Sequence, residues 1–175
     1  ENQRSFMHQQ WYVIANLTSG QGKAGAKWAD LQQLIASSLR VGDWVVTAKN
    51  GHAIELAKAA VAQGYRHILT VGGDGTNHEV ANGILTQTAV PPGEVKHALL
   101  PFGTGNDWAK THRIPIRPEE ALQVVAKGHS TFQDAGLVHF QREGQPASRY
   151  FVNVAGLAYD GYLVKQSMQR KPGQG

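Results

Sequence analysis

Gly72-Gly73-Asp74-Gly75-Thr76-Asn77-His78-Glu79-Val80 stands directly after an apolar run, Arg66 to Val71, and directly before Val80, Ile84 and Leu85 at helical spacing. A glycine loop between a strand and a helix brings bare backbone up to a ligand, because glycine reaches positive φ and puts no side chain in the way. Thr76 with Glu79 three residues on fits a capping box, which predicts a helix from about Thr76 to Leu85 with its positive end and free N–H groups at the loop. Such an end is a phosphate site. Asp74-Gly75 is also a common hairpin dipeptide, but Val80, Ile84 and Leu85 beyond it keep helical rather than alternating spacing. Asp74 would repel a bound phosphate by about 1 kcal/mol at contact even when well screened. It makes sense if it faces Mg2+ or the hydroxyl being phosphorylated, so the loop reads as a place of chemistry.

Phe102-Gly103-Thr104-Gly105-Asn106-Asp107 repeats the arrangement, following the apolar run Lys96 to Pro101, with Thr104 and Asp107 as a second expected helix start. Alone it could be a plain strand-to-helix turn. Two such loops in one sheet would converge at the carboxyl ends of the strands, where open α/β sheets bind ligands.

Outward from these loops, short apolar runs alternate with amphipathic stretches, the pattern of a sheet flanked by helices. Trp11 to Asn16 and Asp43 to Thr47 read as the first two strands, with a helix between them that sets Trp28, Leu31, Leu34, Ile35 and Leu39 on one face. Ala53 to Gln63 reads as a helix stopped by Gly64, and Pro118 with Glu119 and Glu120 opens another that ends at Gly128. The loop Asn16 to Gly25 carries Ser19, Gly20, Gly22 and Lys23 but lacks the spacing of a P-loop. From Ser130 the pattern becomes strand-like, Thr131 to Gln141 and Arg149 to Ala158, around a polar turn from Arg142 to Ser148. We expect an α/β domain over 1–129, with 1–10 an appended or unstructured lead-in and Met7 a candidate natural start. Residues 130–175 are expected to begin a β-rich second domain that two strands alone could not stabilise. Trp28, Trp44, Phe132, Phe140 and Phe151 fall at core-facing periods and are read as packing.

The 175 residues are 41% hydrophobic and 17% charged, with a formal net charge of +4, the composition of a globular chain. Positive residues are scattered, with no basic cluster of the kind that tracks a nucleic-acid backbone, so no nucleic-acid partner is expected. The absence of cysteine excludes disulfides and thiolate zinc sites. His78-Glu79 would need a histidine at 82 for a zinc helix, and that position is Asn82. No apolar run reaches the roughly 18 residues of a membrane span, so a cytoplasmic location with peripheral membrane contact is expected.

At these residues the sequence resembles the diacylglycerol kinase catalytic-domain family, which includes bacterial lipid kinases, sphingosine kinases and ceramide kinases. The resemblance rests on Gly72 to Val80 followed by Asn82-Gly83, and on Leu100 to Asp107 as the second motif. Weaker matches are Asn16 with Ser19 and Gly20, Thr47 before Gly51, Asp134 before Gly136, and Asn153 with Gly156 and Asp160. It implies an N-terminal domain similar to phosphofructokinase and NAD kinase, and ATP-dependent transfer of the γ-phosphoryl group to a lipid hydroxyl, of diacylglycerol or a related lipid. By the same resemblance Asn16, Thr47, Gly72, Gly73, Asp74, Gly75, Thr76, Asn77, His78 and Thr104 would contact ATP. Asp74 and Asp107 would be catalytic, with Asp74 a Mg2+ ligand. Asn16-Leu17 replaces the family's usual Asn-Pro, and His78 replaces the asparagine of bacterial members, a choice closer to the sphingosine kinases.

In this family the acceptor lies between two domains, and the general base would fall beyond Gly175, so the chain alone is expected to be a weak catalyst or none. A lipid acceptor at a membrane surface is the expected partner, and a homodimer is compatible with the sequence. Two other readings stand beside this one. An NAD kinase-like enzyme shares the glycine-aspartate-glycine loop but uses a later Asn-Glu pair where this chain has Asn106-Asp107. A non-catalytic nucleotide-binding regulatory module would bind without transfer.

Overall fold

Along the first strand, β1 (Trp11–Ala15), side chains alternate between two cores: Tyr12 and Ile14 enter one, Val13 and Ala15 the other. A strand buried on both faces reads as an unbroken apolar run, the mark of a parallel sheet covered by helices on both sides. The computed structural model describes residues 7–153 and shows that sheet. β1, β2 (Val41–Val46), β3 (His67–Gly72) and β4 (Lys96–Pro101) are all parallel, in the order β2-β1-β3-β4.

The connections are helical: α1 (Lys23–Ala26) and α2 (Trp28–Ser38) after β1, α3 (His52–Gln63) after β2, and α4 (Asp74–Thr86) after β3. A 3-10 turn, Pro92–Glu94, leads into β4, and α5 (Asp107–Thr111) and α6 (Pro118–Ala126) come after it. Leu31 and Ile35 of α2 and Ala121 and Leu122 of α6 cover one face of the sheet. Ala53, Ala57, Ala60 and Val61 of α3, with Val80 and Ile84 of α4, cover the other. As the sequence predicts, α3 stops at Gly64, whose φ of 110° lets its N–H reach back to the carbonyls of Ala60 and Val61. α6 opens on Pro118 with Glu119 and Glu120 in its first turn. α3 and α4 pack closely because Gly83 has no side chain: a Cβ there would lie 2.4 Å from the Ile54 carbonyl oxygen.

The chain then forms an antiparallel hairpin, β5 (Gly136–Arg142) and β6 (Gln145–Phe151). Its turn is tighter than the expected Arg142 to Ser148, because Glu143 and Gly144 both take positive φ, 53° and 78°, and reverse the chain in two residues. Residues 131–135 precede the strand rather than forming part of it. The expected continuation to Ala158 lies outside the described residues beyond Asn153. Two aromatic residues expected in the core are not there: Phe132 is 89% exposed and Phe140 40%. Phe132 precedes β5, and Phe140 sits on a two-stranded sheet with little to cover it. Trp28 and Trp44 do pack, edge to face with ring centroids 5.9 Å apart, beside the α2 core.

Candidate functional site

At the carboxyl ends of β1 and β3 the strand order changes direction, since β2 lies to one side of β1 and β3 to the other. This crevice is where doubly wound sheets hold ligands. Asn16 leaves β1 with its backbone N–H on the Val71 carbonyl, 2.9 Å, and its side-chain Nδ2 donates to Thr76 Oγ1 at 3.0 Å. Its Oδ1 accepts from the Thr18 N–H and hydroxyl, which shapes the first loop. Thr47, one residue past β2, is held by its N–H on the Ala15 carbonyl. Asn16, Thr47 and Thr76 therefore meet in one small cleft of about 70 Å³. Lys49 also lines it and brings a positive charge. Only its place after β2 marks that lysine in the sequence.

The expected capping box does not form. α4 begins at Asp74, with Gly73 as N-cap, which leaves Glu79 too far along the helix to reach back to its own N-terminus. The Glu79 carboxylate instead accepts from the N–H groups of Gly51, 2.8 Å, and Ala53, 3.3 Å. Gly51 is the N-cap of α3 and has no side chain to offer, so a carboxylate from the neighbouring helix supplies the missing acceptor.

The two glycine loops are packed on each other. A Cβ on Gly73 would lie 2.8 Å from Gly103 Cα, and one on Gly103 would lie 2.6 Å from Gly73 Cα. Positive φ is not what glycine supplies here; Gly72 and Gly73 are needed for close approach, Gly72 against Thr76 and Ser19. Gly75 is the exception, because its α-carbon faces open space and leaves the first turn of α4 accessible. In the second loop Asn106 is the N-cap of α5, in left-handed conformation with φ 52°, and its carboxamide closes the loop on the N–H and carbonyl of Gly103 at 2.8 Å each. The expected start at Thr104 is thus displaced to Asn106, and Thr104 lies exposed on the loop.

Asp74 joins the motifs. Its Oδ2 accepts from the Asp107 N–H and its Oδ1 from the Trp108 N–H, each at 3.0 Å. The carboxylate sits at the N-termini of α4 and α5 together, where both helix dipoles favour negative charge. Asp107 is exposed and pairs with Lys110 at 3.1 Å. A Cβ on Gly105 would lie 3.2 Å from Asp74 Oδ2 and 3.3 Å from Asp107 Oδ2, so both carboxylates border the same glycine.

A second cleft, of about 200 Å³, is lined by Asp74 together with Asn77, His78, Trp108, Val152 and Asn153. Asn77 is 1% exposed and its Oδ1 has no protein partner, leaving a buried acceptor beside the cleft. Burial pushes the His78 imidazole below its ordinary pKa, and nearby Arg149 adds to this while Glu79 opposes it. Trp108 carries no sequence signal of its own, although it directly follows Asp107. It lies between the rings of His97 and His112, at centroid distances of 6.1 and 4.3 Å. His97 bonds the Thr70 hydroxyl at 2.8 Å, and burial lowers its pKa to about 4. Among the described residues no three His, Cys, Asp or Glu side chains gather to hold a metal, and no helix is long and apolar enough to cross a membrane.

Residues 10–138 match the family model of the diacylglycerol kinase catalytic domain. A diacylglycerol kinase of Staphylococcus aureus strain bovine RF122 is 33% identical over 143 residues, 82% of this chain and 42% of that protein. One from strain JH9 is 38% identical over 109 residues, 62% of this chain and 31% of that protein. The crystal structure of a diacylglycerol kinase from Bacillus anthracis superposes with a TM-score of 0.62 at 24% identity, over 79% of this chain and 47% of that one. The chain thus spans less than half the length of the relatives it matches. On the match over residues 10–138, this chain belongs to the diacylglycerol kinase catalytic-domain family.

Proposed function

We propose that this chain forms the nucleotide-binding part of an ATP-dependent lipid kinase, which transfers the γ-phosphoryl group of ATP to a hydroxyl of diacylglycerol or a related lipid. The observation that carries the reading is Asp74, held by the backbone of the second motif and facing the larger cleft. In the transfer the bond from the γ-phosphorus to the β–γ bridging oxygen breaks, a bond to the lipid oxygen forms, ADP leaves and the hydroxyl proton is released. Such a reaction needs positioning and charge neutralisation more than covalent help.

The residues fit that task. Asn16, Thr47 and Thr76 offer neutral donors and acceptors, and Lys49 a cation, for the nucleotide. The open first turn of α4 at Gly75 lets phosphate approach backbone N–H groups. Mg2+ prefers one or two carboxylates together with phosphate oxygens and waters, and Asp74 and Asp107, both beside Gly105, supply such a pair. The two bonds to Asp74 use only part of the four or so acceptor positions of a carboxylate. When bound there, the ion would neutralise charge on the transferring phosphoryl group. Asn77 and His78, which the resemblance assigns to ATP, line the larger cleft and not the one that holds Asn16, Thr47 and Thr76. On this reading they would line the acceptor side instead. With its pKa lowered by burial and by Arg149, His78 favours its neutral form on that side. Acting on lipid implies peripheral membrane contact from the cytoplasm.

Calorimetric titration with Mg-ATP tests the reading on wild type and Gly75→Val. A Cβ at 75 meets nothing within 4 Å, so the variant folds, and saturable binding to wild type should be lost in it. Binding that survives in Gly75→Val would remove the nucleotide from this loop. NADP+ formation in place of a phospholipid would replace the acceptor.

A further inference from the structure

The larger cleft has its walls tied together behind Trp108. Trp108 Nε1 donates to Gln133 Oε1 at 2.9 Å, and Gln133 Nε2 donates to the carbonyl of Val152. Trp108 and Val152 both line the cleft, so one side chain outside it links its two sides. A second carboxamide holds the same segment two residues earlier. Asn82 Nδ2 donates to the Tyr150 carbonyl at 2.9 Å, and Asn82 Oδ1 accepts from the Tyr150 N–H at 3.0 Å, as a neighbouring strand would.

The two ties differ in exposure. Asn82 is 3% exposed, and losing its bonds would strand a buried amide and a peptide group; Gln133 is exposed, where water competes for each partner. The cleft of about 200 Å³ also falls short of the roughly 300 to 1,000 Å³ of pockets that enclose a small organic ligand. A hydroxyl carried on a bulky apolar group therefore needs the cleft to widen.

We propose that Asn82 and Gln133 are positioning residues for this cleft, Asn82 a fixed anchor and Gln133 a latch whose release lets the acceptor pass between Trp108 and Val152. The inference rests on the lipid-kinase reading only for the identity of the acceptor. Widening would pivot about Tyr150, leaving Asp74 and its bonds to the second motif in place.

Proton exchange in the 15N-labelled chain tests the latch, with the Trp108 indole assigned by its loss in Trp108→Phe. The Trp108 indole proton should exchange about tenfold faster than the Tyr150 amide in wild type, as expected of a local opening compared with a larger one. Gln133→Ala should accelerate indole exchange about tenfold more and leave the Tyr150 amide within about twofold, whereas Gln133→Glu, which keeps an acceptor for the indole, should restore the indole protection. Equal protection of the two protons in wild type, or equal acceleration of both in Gln133→Ala, would overturn the latch. In the protein extended to its relatives' length, binding of a short-chain diacylglycerol, followed by the part of the tryptophan emission that Trp108→Phe removes, should associate faster in Gln133→Ala. An unchanged association rate would overturn the gating role. Failure of the protein extended to its relatives' length to bind either Mg-ATP or the diacylglycerol would remove the kinase reading, while the exchange pattern would still decide the latch.

Discussion

In the parallel sheet Ile68, Leu69 and Val71 are fully buried between helices, whereas in the hairpin Leu137 and Phe140 keep 43% and 40% of their surface in water. Fully burying one such side chain stabilises by about 1.5 to 3 kcal/mol, so the sheet has a core of its own and the hairpin has almost none. The hairpin keeps its place through particular polar bonds, those of Asn82 and Gln133, while the sheet keeps its own through area. Substitutions should therefore act globally in the first region and locally in the second.

Gly83→Val should have the largest effect, about 4 kcal/mol of lost stability, because its side chain would meet the Ile54 carbonyl oxygen and the Ala57 methyl with no room for either to yield. Urea unfolding followed by circular dichroism would read it, and a cost near zero would mean α3 and α4 can part freely. Acid comes next. His97 has its pKa lowered to about 4, below its unfolded value, so the unfolded chain takes up more protons as pH falls through the window between them. Stability should fall by about 3 kcal/mol between roughly pH 6.5 and pH 4 and level off below, with His67 and His78 shifted in the same direction. His97→Gln should flatten most of that slope in the same unfolding measurement.

Asn82→Ala sharpens the contrast at about 2 kcal/mol. Amide exchange should show Tyr150 losing protection while Val71 in β3 keeps most of its own; a matched loss would mean that hairpin and sheet open as one unit. Leu137→Ser should change stability by no more than about 0.5 kcal/mol, and a melting temperature well below wild type would reveal burial that the hairpin does not display.

The sheet is legible in the sequence because its strands are short apolar runs, those of β3 and β4 bounded by glycine and proline: β4 falls at Lys96 to Pro101 as expected, and β1 and β3 within a residue or two. Gly64 and Pro118 also act locally, through φ and a missing N–H, so their effects can be read from the chain itself. Glu79 cannot be read that way. Its spacing from Thr76 fits a local motif, but the groups that need its carboxylate belong to Gly51 and Ala53 on another helix. The site residues cluster at the strand ends because the motifs follow the strands. Their wiring is what the sequence hides: that Asp74 bonds the amides of Asp107 and Trp108, and that Trp108 reaches Gln133. Such contacts span 25 to 34 positions and leave no periodic trace.

The contact between Gly73 and Gly103 constrains how this protein can vary. Where two bulky side chains touch, an enlargement of one can be offset by shrinking the other. Here both partners are already the smallest residue the genetic code provides, so a methyl group added on either side has no second-site remedy through size. Any lineage that gains one must shift main chain at the mouth of the crevice, and revertants should return to glycine at the altered position instead of appearing at its neighbour.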